Sequence, residues 1–291
     1  MAVSTALGDG MDQRLPMIGL FDHVLVRATI AGRTYWLDGT RTGDIALDRI
    51  MTPHLGWGLP LVDKEAALVR MVPATLHAPA EVTTIEIDAT AGLTIPAPTA
   101  ISILLRGDEA IACRLGLVSL TAEARDRMLR EYWRGAYDFI DVKTVAATFK
   151  AKTGEQRLST TGLATMGWAD GWYETDGTSI GYKADFSREP GPGRDAQFVV
   201  RYPYFTKLTE TIKLPPGFDS ASAGTKANVA RTIAGIEYRR RATLANNVFT
   251  IERTERSVAP EFPFAQAAAA QTALRELAEM TVYLRRPPVT E

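Results

Sequence analysis

The sequence predicts an α+β protein built mainly from antiparallel strands, and three observations carry that reading. Alternating, β-branched runs recur along most of the chain, the clearest being Glu81-Val82-Thr83-Thr84-Ile85-Glu86-Ile87-Asp88. In such a run, side chains two apart share a face, and one of the two faces is wet. Turn-forming clusters separate the runs: Gly154, Asp170-Gly171, Gly191-Pro192-Gly193, Pro215-Pro216-Gly217 and Asn246-Asn247. That punctuation marks an antiparallel sandwich or one long curved sheet. Helical periodicity is confined to one interior region, 108–135, and one C-terminal region, 263–283.

In chain order, residues 1–20 read as an extended lead-in broken by Gly10 and Gly19. Residues 21–31 and 33–38 form a hairpin around Ala31-Gly32. A short helix over 45–50, capped by Asp44, follows. The stretch from Thr52 to Pro60, rich in Gly, Pro and Trp, drapes over a surface. The texture changes after Pro79, which divides the chain into an N-terminal part, 1–78, and a β-sandwich-like domain, 79–291. Strands are predicted there at 81–89, 99–106, 139–150, 156–166, 179–186, 196–204, 207–214, 228–242 and 247–256. The interior helix covers 122–134. Thr121 caps it, with Glu123 in its first turn and Arg130 and Arg134 near its end. Its packing stripe reads Ala124, Met128, Tyr132, flanked by Leu129 and Trp133. Pro263 suits the first position of the closing helix, whose stripe carries Leu274, Leu277 and several alanines.

Composition narrows the function classes. A chain of 291 residues, 46% hydrophobic and 23% charged, fits a globular protein of one large or two ordinary domains with a sizeable core. A net charge of −1 lacks the basic field that nucleic acid or an anionic membrane surface demands, so neither partner is expected. The single cysteine, Cys113, excludes an internal disulfide. No apolar run reaches the length of a membrane span; the alanine-rich stretch 265–278 is broken by Gln266, Gln271, Arg275 and Glu276. The first ten residues lack the basic and apolar regions of a secretory leader. His54 and His77 show no ligand spacing with each other or with a carboxylate, so no metal is expected. Gly191-Pro192-Gly193-Arg194 lacks the Lys-Ser/Thr of a phosphate loop, and no cofactor is expected.

The chemistry-bearing feature is His23 in Phe21-Asp22-His23-Val24-Leu25 together with Asp38 in Tyr35-Trp36-Leu37-Asp38-Gly39-Thr40. The hairpin between them brings the two side by side. A carboxylate that holds an imidazole in one tautomer, and an imidazole that takes a proton from a nucleophile, are two parts of a triad. Trp36 lies two residues before Asp38 on the same strand face and is expected to shield the pair. The bland alternative is a strand histidine bonded to a carboxylate for structure alone.

This His, hairpin and Trp-Leu-Asp-Gly-Thr run resembles the His/Asp half of the bacterial transglutaminase-like superfamily. Those proteins have papain-like folds with a Cys-His-Asp triad, often flanked by β-rich domains of unknown function. Gly39 stands where that family usually has proline, and both residues suit a turn. The segments 179–186 and 257–263 resemble the C-terminal region of the same proteins. The resemblance implies that His23 is a general base and Asp38 its orienter. It places the nucleophilic cysteine upstream on a helix, so this chain reads as the C-terminal portion of a longer enzyme for acyl transfer or amide hydrolysis on a protein or peptide. It also implies a cell-envelope location.

Cys113, in the apolar run Ala110-Ile111-Ala112-Cys113, follows His23 and Asp38 in the chain and reads as a structural core residue. This chain alone is therefore expected to be inactive. Half a papain-like core leaves one face of its first strand bare, with Phe21, Val24, Val26, Ala28 and Ile30 apolar. The lead-in, the closing helix, an upstream fragment or a second protomer is expected to cover it. The competing reading is a non-catalytic binding or scaffolding module of the bacterial cell envelope. Trp168, Trp172, Tyr173 and Tyr182 read as hairpin packing rather than a glycan platform, and Arg239-Arg240-Arg241 as charge that protects a sheet edge.

Overall fold

A computed structural model describes residues 1–6, 10–15, 17–62, 65–175, 177, 179–219, 222–223 and 228–287. The protein is α+β with mostly antiparallel strands. The N-terminal part holds β1 (Ala2–Val3), β2 (His23–Val24), β3 (Val26–Ile30), β4 (Arg33–Leu37), β5 (Trp57–Leu59) and β6 (Val69–Arg70). Strands β2, β1, β5 and β6 form one small sheet in that order, and β3 and β4 form a separate hairpin. Both surround a small core of Val3, Leu25, Trp36 and Met71. The lead-in does not lie across the hairpin: β1 pairs edge to edge with β2, and Leu25 is buried beside Val3. The opposite side stays open, with Val24 57%, Val26 60% and Ile30 45% exposed.

The 45–50 helix shrinks to a 3₁₀ turn, Leu47–Arg49, with no side-chain cap. Asp44 is drawn away from capping, because its carboxylate accepts a hydrogen bond from Arg41 Nε at 2.7 Å.

The larger part contains β7 (Glu81–Asp88), β8 (Ala97–Leu105), α1 (Gly107–Val118), α2 (Ala122–Ala136), β9 (Ile140–Lys150), β10 (Glu155–Ala164) and β11 (Trp172–Glu174). It continues with β12 (Phe198–Val199), β13 (Phe205–Lys213), β14 (Val229–Ile233), β15 (Ile236–Ala245), β16 (Val248–Ser257), β17 (Glu261–Phe262), α3 (Ala267–Ala278) and β18 (Tyr283–Arg285). Eight of these strands join one sheet in the order β14-β15-β16-β13-β7-β8-β10-β9. Every neighbouring pair is antiparallel except β7 with β13. Of the two arrangements the turns left open, the long sheet is the one built.

Register shows that the helices share one face of this sheet. Ile85, Ile101, Leu158 and Ile251 join Leu129 and Trp133 of α2 in the main core. Tyr238 and Val229 join Leu274 and Leu277 of α3 in a second core. Tyr238 lies opposite Glu255, which is in step with Ile251, so both cores occupy the same side. The other face carries one transverse row across seven strands: Thr144, Thr161, Ala100, Glu86, Thr211, Thr250 and Thr243. It is the wet face that the alternation in β7 predicted.

Several elements differ from expectation. The interior helical region is two helices, and Cys113 sits on the first. Thr121 caps α2 as predicted, its Oγ1 accepting from Ala124 N. The buried face of α2 is Leu129 with Trp133, while Met128 and Tyr132 are exposed. The stripe is thus turned by about one residue, roughly 100°. The segment 179–186 forms no strand. Its alternation comes from Ile180 and Ala184 packing on α3, with Gly181 so close that a Cβ there would stand 2.9 Å from Leu274 O. Within 196–204 only Phe198–Val199 is a strand, paired with β17. The run 228–242 is two strands, reversed at Ala234-Gly235, where both residues have positive φ.

The closing helix is shorter than 263–283. Pro263 precedes a 3₁₀ turn, Phe264–Gln266, and α3 follows; β18 then leaves to pair with β11. The predicted stripe of Leu274 and Leu277 is buried, and the alanines that join it are Ala267 and Ala270. Arg239-Arg240-Arg241 does not guard an edge, since β14 lies outside β15. Arg240 is buried and donates to Met280 O at 2.6 Å beyond the end of α3.

Candidate functional site

The loop Ala31-Gly32 links Ile30 to its direct partner Arg33, and both loop residues have positive φ. That is the two-residue turn whose twist matches a hairpin. The register it sets places Val26 opposite Leu37 and Arg27 opposite Trp36, so Asp38 emerges at the open end of the hairpin beside Leu25 and His23. His23 itself is held by β1, through the pair Val3 with His23. The neighbouring Asp22 locks that strand, accepting from Thr5 N at 2.8 Å and Thr5 Oγ1 at 2.7 Å.

His23 Nε2 and Asp38 Oδ2 are 2.9 Å apart. The other carboxylate oxygen is engaged separately. Asp38 Oδ1 accepts from Thr40 N at 2.9 Å and from Thr40 Oγ1 at 2.7 Å, a local Asx turn. These two bonds from Thr40, with a smaller contribution from His23, hold the Asp38 carboxyl below its usual range. The side chains are 23% and 27% exposed, so the pair is neither sealed nor fully wet. Trp36 is buried in the small core with Val3, Leu25 and Met71.

An anionic Asp38 can only accept, so a neutral His23 bonded to it carries its hydrogen on Nε2. Nδ1 then presents a lone pair, and it makes no hydrogen bond to any described residue. Such an arrangement can accept a proton at Nδ1 while Asp38 fixes the ring.

Cys113 is not brought to the pair. It is half-buried against the main core, and burial pushes its thiol up. Ile111, two residues earlier on α1, instead faces the space beside β4. Two residues on a helix stand about 200° apart, so Cys113 points away from that side. Such a thiol is a poor nucleophile. Among the described residues, no group of three or more His, Cys, Asp or Glu side chains is arranged to hold a metal ion. No helix of the described residues is long and apolar enough to cross a membrane. Trp168 lies tilted against Tyr173 and Phe218 of the core, and Trp172 meets Tyr283 edge-on at its surface.

Two clefts were not evident from sequence reasoning. One, of about 510 Å³, lies between β4 and the end of the large sheet, lined by Trp36, Ile50, Met51, Ile111, Phe149 and His77 among others. A second, of about 770 Å³, opens over β7 and β13 and includes Glu81. Its one signal in the sequence is a carboxylate heading the apolar face of β7, in step with Thr83, Ile85 and Ile87. The chain matches no family model, no curated protein and no solved structure.

Proposed function

We propose that this chain carries the base-and-orienter half of a Cys-His-Asp site of the transglutaminase-like kind, for acyl transfer or amide hydrolysis on a protein or peptide. The observation that supports this best is the clamped geometry of Asp38. Thr40 occupies one carboxylate oxygen, His23 Nε2 occupies the other at 2.9 Å, and Nδ1 is left as the proton acceptor. In this reading Nδ1 takes the proton of a thiol, the thiolate attacks the acyl carbon, and the imidazolium returns the proton to the leaving amine. The thiol comes from outside these residues, on an upstream fragment of the same protein that seats against the open Val24, Val26 and Ile30 face; a second protomer is the alternative cover for that face. An apolar surface of this kind loses about 25 cal/mol for each Å² left wet, which favours a partner there.

The second reading, a non-catalytic binding or scaffolding module, draws support from the 510 Å³ cleft between the hairpin and the sheet. One experiment separates the two. This chain alone shows no turnover of casein or small glutamine esters, with or without Cys113→Ala. The full gene product shows turnover that His23→Ala removes. Turnover by this chain that disappears in Cys113→Ala would overturn the proposal, and an inactive full product favours the binding module.

A further inference from the structure

The helix-bearing face of the large sheet is covered in two places. The main core lies under α2 and the second under α3. Between them, where β7, β13 and β16 run side by side, the face opens into the 770 Å³ cleft. Its floor follows one transverse row: Glu81 pairs with Thr206, and Thr206 pairs with Glu255. Directly opposed residues point to the same side, so Glu81 and Glu255 flank Thr206 there. Arg253 follows in step with Glu255. The walls bring Glu109 from α1, and Arg201 and Tyr204 from the segment before β13.

Most charges here are already engaged. Arg253 donates to Ser179 O and stands 3.9 Å from Glu255. Asp108 pairs with Arg41, and Arg106 with Glu155. Glu81 differs. It is half-buried, and its carboxylate accepts no hydrogen bond from any described residue. Burial and nearby Glu109 push its carboxyl up from the usual range, against Arg201 and Arg253.

Arg201 shows what the cleft mouth can hold. Its side chain is 70% exposed, yet its guanidinium lies 3.5 Å from Glu109 and 4.6 Å from the centre of the Tyr204 ring. A carboxylate and an aromatic face together are the groups that recognise organic cations. A cation supplied by the chain itself therefore already rests at this entrance.

We propose that the cleft binds an organic monocation, an ammonium or guanidinium on an apolar stem, with Glu81 as its counter-ion and Arg201 as an occupant it displaces. The stem lies against Tyr204 and Leu208. The inference is independent of the His23 reading. The charged and titratable groups that face Glu81 are Glu109 from α1, Tyr132 from α2, Arg201 from the wall, and Arg253 and Glu255 from β16; burial pushes the Glu255 carboxyl up as well, against Arg253. A bound cation favours the ionised form of Glu81 and expels its proton. Affinity accordingly rises with pH through the raised titration range of Glu81 and then levels.

The test is calorimetric titration of the protein with phenethylammonium, beside phenethyl alcohol and phenylacetate as neutral and anionic isosteres. Only the ammonium is expected to bind saturably. Losing one charge-assisted bond weakens it by about tenfold or more in Glu81→Gln. That variant keeps its fold, since folding disfavours the ionised carboxylate that it removes; circular dichroism checks this. Arg201→Ala, at an exposed position, binds more tightly than wild type. No saturable binding of the ammonium, equal binding by Glu81→Gln, or a preference for phenylacetate would overturn the proposal. Unchanged or weaker binding by Arg201→Ala would contradict the role given to Arg201.

Discussion

Replacing Trp133 with alanine will destabilise the protein by about 3–5 kcal/mol, the cost of deleting a large aromatic side chain from a closed core. Trp133 is fully buried. It lies between α2 and β9, in edge contact with Tyr132 at 5.2 Å and tilted against Tyr137 at 5.8 Å. Alanine leaves a cavity that the sheet beneath cannot close, because Leu158, Ile140 and Val142 are fixed by ladder pairing. Trp133→Phe will cost much less. Trp133 Nε1 is buried with no hydrogen-bond partner among the described residues, so phenylalanine keeps most of the apolar contact and removes an unpaired donor. Urea unfolding followed by circular dichroism measures both. Equal losses for the two variants would show that the apolar volume phenylalanine keeps does not stabilise this site, and would contradict the cavity argument.

The second large effect is on chemistry. On the proposed Cys-His-Asp reading, Asp38→Asn in the protein together with its source of the thiol is expected to lower kcat by a factor on the order of 10⁴, the loss known for the equivalent change in a serine-protease triad, with KM little changed. The reason is directional. Thr40 N and Oγ1 both donate to the Oδ1 position, so an asparagine oxygen is held there. Its amide nitrogen then falls at the Oδ2 position, 2.9 Å from His23 Nε2, and donates to it. The imidazole must carry its hydrogen on Nδ1, and the lone pair that accepts the thiol proton is gone. A full product whose kcat survives Asp38→Asn would remove Asp38 from the mechanism.

The features legible in the sequence are those written in local chemistry. The His23–Asp38 contact follows from a short Gly-containing turn, and the cap of α2 from Thr121. The sheet strands with regular alternation, such as β7, β9 and β16, were placed within a residue or two. Tertiary context decided the rest. Ala234-Gly235 makes the same positive-φ reversal as Ala31-Gly32, yet it sits inside an unbroken β-like run, so two strands read as one. Segment 179–186 alternates like a strand because a helix, rather than a ladder, buries every few residues. Leu129 and Trp133 were seen on α2, but only the neighbouring sheet determines that they, and not Met128 and Tyr132, face inward. The cleft at Glu81 depends on strand order. No local pattern brings β7 beside β13, and that parallel pair sets Glu81 beside Thr206.

The central claim is that Asp38 holds His23 as a base with Nδ1 free. The most direct measurement is the ¹⁵N spectrum of the neutral His23 imidazole, recorded through long-range couplings to the ring protons. The account predicts the Nε2–H tautomer in the wild-type chain and a switch toward Nδ1–H in Asp38→Asn. A wild-type ring protonated on Nδ1, or a tautomer indifferent to Asp38→Asn, would contradict it.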